Sequence, residues 1–235
     1  MKLKSLKDLP QEHNYALAIG NFDGIHLGHQ FVLNNLVEKS NKRNLKSILL
    51  TFNPHPREIL NPSDFKLISS YEEKRKVIES LKMDYYIELA FNRDFSTLSP
   101  QEFLSEYIFV GKNLEFILLG HDFSFGSNKT GGKKELEEYI SSQNLKVEVQ
   151  SSTSRKVNEV AISSTQIREL ISSGNIKKVG QLLGRKFSLS GIIVKGDGRG
   201  RKIGFPTANI ELPENQLIPE NGVYISKVRC TDRTY

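Results

Sequence analysis

Short apolar runs alternate with amphipathic stretches over about the first 150 residues, and this alternation limits the possible folds more than any other feature. Residues 15–19 (YALAI) end at Gly20, and residues 46–52 (KSILLTF) end at NPHP. Residues 85–89, 116–119 (FILL) and 146–149 are further strand-like runs. Between them the spacing predicts helices over 30–39, 71–81, 99–109 and 133–140. Ser99 followed by Pro100 is a good helix opening. Strands that alternate with helices predict an α/β domain with a parallel sheet wrapped by helices. In such sheets ligands sit at the carboxyl ends of the strands. From about Arg185 the texture changes. Residues 187–195 (FSLSGIIVK) and 222–230 (GVYISKVRC) alternate apolar with polar, which predicts antiparallel β. We therefore expect two units, 1–184 and 185–235.

Composition narrows the function classes. The net charge of +6 is mild and spread out. No RNP-like motif, zinc-finger spacing or basic block of five or more accompanies it, so no nucleic-acid partner is expected. No apolar run approaches the roughly 20 residues of a membrane span, so no membrane partner is expected. The N-terminus MKLKSLKDLP lacks an apolar signal region, and the single Cys230 fits a reducing compartment. A cytoplasmic location is the expectation.

The loop after the first strong strand reads GNFDGIHLGH, residues 20–29. Glycines let the backbone approach a ligand closely. A helix starting near Gly28 would offer free N–H groups and the positive end of its dipole, which favour phosphate. His26 and His29 would stand at its mouth. A metal site would need further ligands, and a plain glycine turn is the third possibility. All three stay open on spacing alone. Far downstream, AISSTQIREL (residues 161–170) places a Ser-Ser-Thr cluster at a helix start, with Arg168 one turn in. That is either a second anion site or a capped helix with a surface arginine.

Together, GNFDGIHLGH and ISSTQIR resemble the signature of the nucleotidyltransferase superfamily. TFNPHPRE (residues 51–58) and LGHDFSFGSNKTGG (119–132) resemble its flavin-adenylylating branch. LLGRKFSLSGIIVKGDGRGRKIGFPTANI (182–210) is similar to the start of a bacterial riboflavin kinase domain. The whole order resembles the prokaryotic bifunctional riboflavin kinase/FMN adenylyltransferase (FAD synthetase) family.

The resemblance implies a Rossmann-like nucleotidyltransferase domain followed by a partial antiparallel β-barrel segment of riboflavin kinase type. It implies transfer of AMP from ATP to FMN, giving FAD and pyrophosphate by direct in-line displacement with Mg²⁺. It assigns His26, His29 and Arg168 as catalytic. It assigns Gly20, Asn21, Phe22, Asp23, Gly28, Ser164 and Thr165 to ATP, with Asp23 as a brace of the loop. Phe52, Pro54, Pro56 and Asp122 would face the flavin side. Phe52 also reads as simple core at a strand end. Ser124 and Lys129 stand where the family commonly has arginines. In the C-terminal segment, Gly204, Thr207 and Asn209 fall at the family's Mg–ATP positions, and Thr207 and Asn209 would hold Mg²⁺. The family's kinase domain is a closed six-stranded barrel whose catalytic glutamate lies beyond Tyr235. The expectation is therefore that this chain is inactive on riboflavin. The alternatives are a nucleotidyltransferase with another phosphorylated acceptor, or a non-catalytic flavin- or nucleotide-binding remnant.

Overall fold

A computed structural model describes residues 2–111, 113–120, 123–152, 156–157, 160–230 and 233–234. Six strands form one parallel sheet: β1 Lys2–Leu3, β2 Asn14–Ile19, β3 Lys46–Asn53, β4 Tyr85–Ala90, β5 Asn113–Leu119 and β6 Glu148–Ser151. Their spatial order is β1-β4-β3-β2-β5-β6. Ile19 stands beside Leu50 of β3 and Leu119 of β5. The chain therefore leaves β2 to one side for β3 and β4, then returns to the other side for β5 and β6. The direction switches at β2, and a crevice opens there at the carboxyl edge.

The period of two decides the layers. Tyr15, Leu17 and Ile19 point into one buried cluster with Ile48, Leu50, Ile117 and Leu119. Ala16, Ala18, Leu49 and Phe116 point into the other. The first face is covered by α5 Pro100–Phe103, the π-turn Leu104–Ile108 and α6 Lys133–Ser142, through Phe103, Leu104, Ile108, Leu136 and Ile140. The second is covered by α1 Leu27–Lys42 and α3 Tyr71–Ser80, through Val32, Leu33, Leu36 and Ile78. Such fully buried side chains each contribute roughly 1.5–3 kcal/mol. Short helices α2 Pro56–Leu60 and α4 Arg93–Ser96 follow β3 and β4.

A third cluster sits at the carboxyl edge. Helices α7 Ser164–Ser172 and α8 Ile176–Leu183 bury Ile167, Ile171, Val179 and Leu183 against Ile68 and Ile162. This packing fixes where α7 begins. Gly184 ends α8 in the left-handed region, at φ 69°.

The remaining strands are short. β7 Lys156–Val157 pairs with β8 Val160–Ala161, β9 Ile192–Val194 with β10 Asn209–Glu211, and β11 Arg229–Cys230 with β12 Arg233–Thr234, all antiparallel. Here the sequence expectation needs correction. Only 192–194 of 187–195 is strand, and only 229–230 of 222–230. Val223 and Ile225 are fully exposed, so the alternation there has no sheet to face. Among the described residues the antiparallel segment is two-stranded pairs and no closed barrel. The helix expected over 99–109 opens with the Ser99–Glu102 capping box but changes to a π-turn at Leu104.

Candidate active site at the carboxyl edge

The GNFDGIHLGH loop leaves β2 at the switch point. Gly20 N–H donates to Leu50 O at 3.1 Å, which continues the pairing with β3 for one residue. Phe22, Gly24 and Ile25 then take positive φ, at 48°, 74° and 35°. A Cβ on Gly24 would lie 2.7 Å from the Ile68 methyl, so this left-handed position admits glycine alone. His26 caps α1: its Nδ1 accepts from His29 N–H at 3.2 Å. A neutral ring that accepts at Nδ1 carries its hydrogen on Nε2. The His26 and His29 rings stack at 3.6 Å, and Phe22 meets His29 edge-on at 5.2 Å. Gly28 keeps that stack possible, since a Cβ there would approach the His26 ring to 3.0 Å.

His26 is 4% exposed, while the His29 ring is half-buried. Burial, the neighbouring His26 and Lys74 hold the His29 pKa well below the ordinary imidazole range, so the ring is neutral at pH 7. Its Nδ1 is buried with no hydrogen-bond partner among the described residues.

The two distant motifs meet at Asp23. This carboxylate is 4% exposed and accepts from Ile68 N–H at 3.2 Å through both oxygens. Arg168, on the first turn and a half of α7, donates to Asp23 Oδ2 at 2.5 Å and to Lys66 O at 3.3 Å. Its guanidinium lies 4.7 Å from the centre of the Phe65 ring. Ser164 Oγ donates to Asp23 O at 3.4 Å. Burial pushes the Asp23 pKa up, against Arg168 and the Ile68 amide, which pull it down. Asp23 is therefore engaged as a brace, and Arg168 is a fixed charge beside the loop rather than a surface arginine. Thr165 is exposed on the first turn of α7, whose cap is Ser163.

The sequence reading missed Lys74. Its ammonium is 5% exposed and donates to Asn21 O at 2.7 Å and to Thr51 Oγ1 at 2.8 Å. Thr51 Oγ1 also donates to Asn21 O at 3.1 Å. Burial lowers the Lys74 pKa to about 8. In sequence, EEKRK reads as a solvated helix face, and nothing marks one of its three cations as buried.

On the β3 side, Phe52 packs against Phe91 and Phe95 at 5.9 and 5.7 Å, at the margin of the core. It is partly buried against the core, a position compatible with either reading of this residue. Pro56 opens α2, and His55 stacks on Phe65 at 4.3 Å. His55 N–H donates to Glu58 Oε2 at 3.1 Å, and Tyr71 makes a short hydrogen bond to the same carboxylate. Burial lowers the His55 pKa to about 3. Ser124 and Lys129 are exposed, whereas Phe125 is core. Asp122 lies outside the described residues.

The C-terminal residues gather elsewhere. Thr207 Oγ1 would be 3.0 Å from a Cβ on Gly200, and the Asn209 amide would collide with one on Gly196. Both side chains thus face the glycines of GDGRG, and Gly204 turns the chain at φ 81°.

A doubly wound parallel sheet, with two helix N-termini meeting a glycine loop at its switch point, defines a Rossmann-like nucleotidyltransferase domain. The comparisons agree. The FAD synthetase family model matches residues 8–166, and the riboflavin kinase family model matches residues 183–235. The bifunctional riboflavin kinase/FMN adenylyltransferase of Buchnera aphidicola subsp. Schizaphis graminum is 42% identical over 92% of this chain and 69% of its own length. That of Listeria monocytogenes is 37% identical over 94% and 70%. A crystal structure named as a macrolide-efflux protein from Streptococcus pneumoniae superimposes with a TM-score of 0.84, at 32% identity, over 100% of this chain and 76% of that one. Among the described residues no helix is long and apolar enough to cross a membrane. The chain belongs to the bifunctional riboflavin kinase/FMN adenylyltransferase family.

Proposed function

We propose that this chain transfers AMP from ATP to the phosphate of FMN, giving FAD and pyrophosphate. The reading rests chiefly on the meeting of Ser164 and Arg168 with Asp23, across more than 140 residues of chain. It sets the α1 and α7 N-termini on one crevice, as a triphosphate requires. In the step, an FMN phosphate oxygen attacks the α-phosphorus of ATP, and the bond to the bridging oxygen of pyrophosphate breaks in line. No protein nucleophile is needed, so catalysis is positioning plus charge stabilisation. His29, neutral at pH 7, and His26, with its hydrogen on Nε2, donate to the α-phosphate as charge builds. Gly20, Asn21, Phe22 and Gly28 shape the loop for close approach. Ser164 and Thr165 hold the β- and γ-phosphates, and the Arg168 charge stabilises the departing pyrophosphate.

The half-exposed aromatic surface of Phe52, with Pro54 and Pro56, suits a planar isoalloxazine. Mg²⁺ would neutralise phosphate charge, resting mainly on phosphate oxygens in the adenylyl-transfer crevice. In the C-terminal segment the Thr207 hydroxyl faces Gly200 and the Asn209 amide nitrogen faces Gly196, and the hydroxyl with the amide oxygen beside it would supply hard donors for Mg–ATP. We place the division of labour at 184/185, where Gly184 ends α8.

The test is purified protein with Mg²⁺, ATP and FMN, separated by chromatography. FAD and pyrophosphate in equal amounts are expected. ATP binding without FAD would indicate another acceptor and overturn the proposal.

A further inference from the structure

We infer that Arg185, inside the segment matched to riboflavin kinase, is a positioning residue for adenylyl transfer at the other site; the inference rests on the function proposed above. The Arg185 side chain is 19% exposed and turns back from the end of α8 onto the nucleotide loop. Its Nη2 donates to Gly24 O at 2.9 Å and to Ser69 Oγ at 3.1 Å. Its Nη1 donates to Ile25 O at 3.3 Å, and Nε meets Glu73 Oε1 at 3.3 Å. Gly24 and Ile25 are the two positive-φ residues that directly precede His26. Both residues precede the His26 cap, so their carbonyls lie outside the backbone ladder of α1 and depend on side chains for partners. The planar guanidinium spans both carbonyls at once, which an ammonium on a flexible stem does not reproduce.

The other charged braces act on different atoms, and at Ile25 O Arg185 shares its place with Gln30 Nε2 of α1, which donates there at 2.9 Å. Lys74 and Thr51 hold Asn21 O, while Ile68 and Arg168 hold the Asp23 carboxylate. Arg185 at Gly24 O, joined by Gln30 at Ile25 O, therefore sets the last step of the chain into the His26–His29 stack. The same C-terminal segment reaches the loop by a second route. Leu67 N–H donates to Asn215 O at 2.7 Å and Leu67 O accepts from Leu217 N–H at 2.9 Å, one residue before the Ile68 amide that binds Asp23. The adenylyl-transfer site is thus completed by residues from the kinase-related segment.

The test compares Arg185→Gln and Arg185→Lys with the unaltered full chain. It reads kcat and KM for ATP in FAD formation, thermal melting, and amide hydrogen exchange over residues 24–30. For Arg185→Gln we expect kcat/KM for ATP to fall by about 10–100-fold, as a misplaced catalytic group would cost. Exchange over 24–30 should quicken by about tenfold while the protein stays folded. Arg185→Lys should recover only part of both. Wild-type turnover and exchange in Arg185→Gln would overturn the inference. So would a loss matched wholly by a smaller folded fraction, with KM and exchange unchanged. If Arg185→Gln does not fold, the Lys variant decides on the same readouts. Absence of FAD from the unaltered chain would instead overturn the proposed function, and the exchange comparison would still judge Arg185.

Discussion

The molecule carries two glycine-rich loops, and they are built in opposite ways. In GNFDGIHLGH, residues 22–26 are buried; Lys74 and Arg185 hold its backbone carbonyls, and Arg168 holds its Asp23 carboxylate. In GDGRGRKIGFPTAN, Phe205 is 75% exposed, and the only described ion pair, Asp197–Arg199, is itself on the surface. Its turn is closed by two backbone bonds to Gly200 O, from Ile203 and Phe205 N–H. Both loops use left-handed glycines. What separates them is the second ring of contacts. Glycine permits a phosphate-binding conformation, but buried partners make one conformation persist.

The largest test of that difference is Asp23→Ala. It leaves Arg168 half-buried without its carboxylate and strips the Ile68 amide of its acceptor. Breaking such a pair costs about 3–5 kcal/mol, so the urea midpoint should fall sharply. The outward counterpart, Asp197→Ala, should shift it by less than about 0.5 kcal/mol, and an equal shift would erase the contrast. Next comes His29→Ala, which removes a donor from the proposed α-phosphate contact. FAD turnover should fall by about 10²–10³-fold, while melting falls less than in Asp23→Ala, because the ring is neutral and no ion pair is broken. Near-normal turnover would take His29 out of the mechanism.

A matched glycine pair sharpens the comparison further. Gly24→Ala meets both a φ of 74° and the Ile68 methyl at 2.7 Å. A loss of about 2–3 kcal/mol in chemical unfolding is expected. Gly198→Ala has φ 67° but nothing within 4 Å, so only the backbone strain remains, about 1 kcal/mol. Equal losses would mean that packing around Gly24 contributes nothing.

A pH test concerns His55 beside the first loop. Its folded pKa of about 3 lies below the unfolded value of 6.5. The unfolded state therefore binds the proton first, and stability falls as pH drops from about 6.5 towards 3. The slope is at most about 1.4 kcal/mol per pH unit. His55→Asn keeps an acceptor for the Arg57 amide and should flatten the profile in that window. An unchanged slope would show that His55 does not titrate with unfolding.

Much of the parallel domain was legible because short apolar runs alternate with amphipathic stretches. The run YALAI reads as a strand buried on both faces, and only the structure shows Tyr15, Leu17 and Ile19 in one layer and Ala16 and Ala18 in the other. The C-terminal strands were overestimated for the converse reason. Alternation over 222–230 states a preference for a half-buried sheet, and Val223 and Ile225 find none among the described residues. At the site, His26, His29, Ser164 and Arg168 were named from their motifs, whereas Lys74 and Arg185 were not. A lysine in a charged helix and an arginine after a helix-ending glycine look like surface residues until their depth is known.

The sequence by itself determined the order of elements, the left-handed glycine turn and the chemical types at the crevice, because these depend on local sterics and on residue identity. Tertiary structure alone decided that the Asp23 carboxylate meets the Ile68 amide and that Arg168 is pinned to it. It also decided that Lys74 is buried and that Arg185 crosses from the kinase-related segment to the adenylyl-transfer loop. Burial and pairing set the work of a charge, and both are fixed by chain segments far apart in sequence.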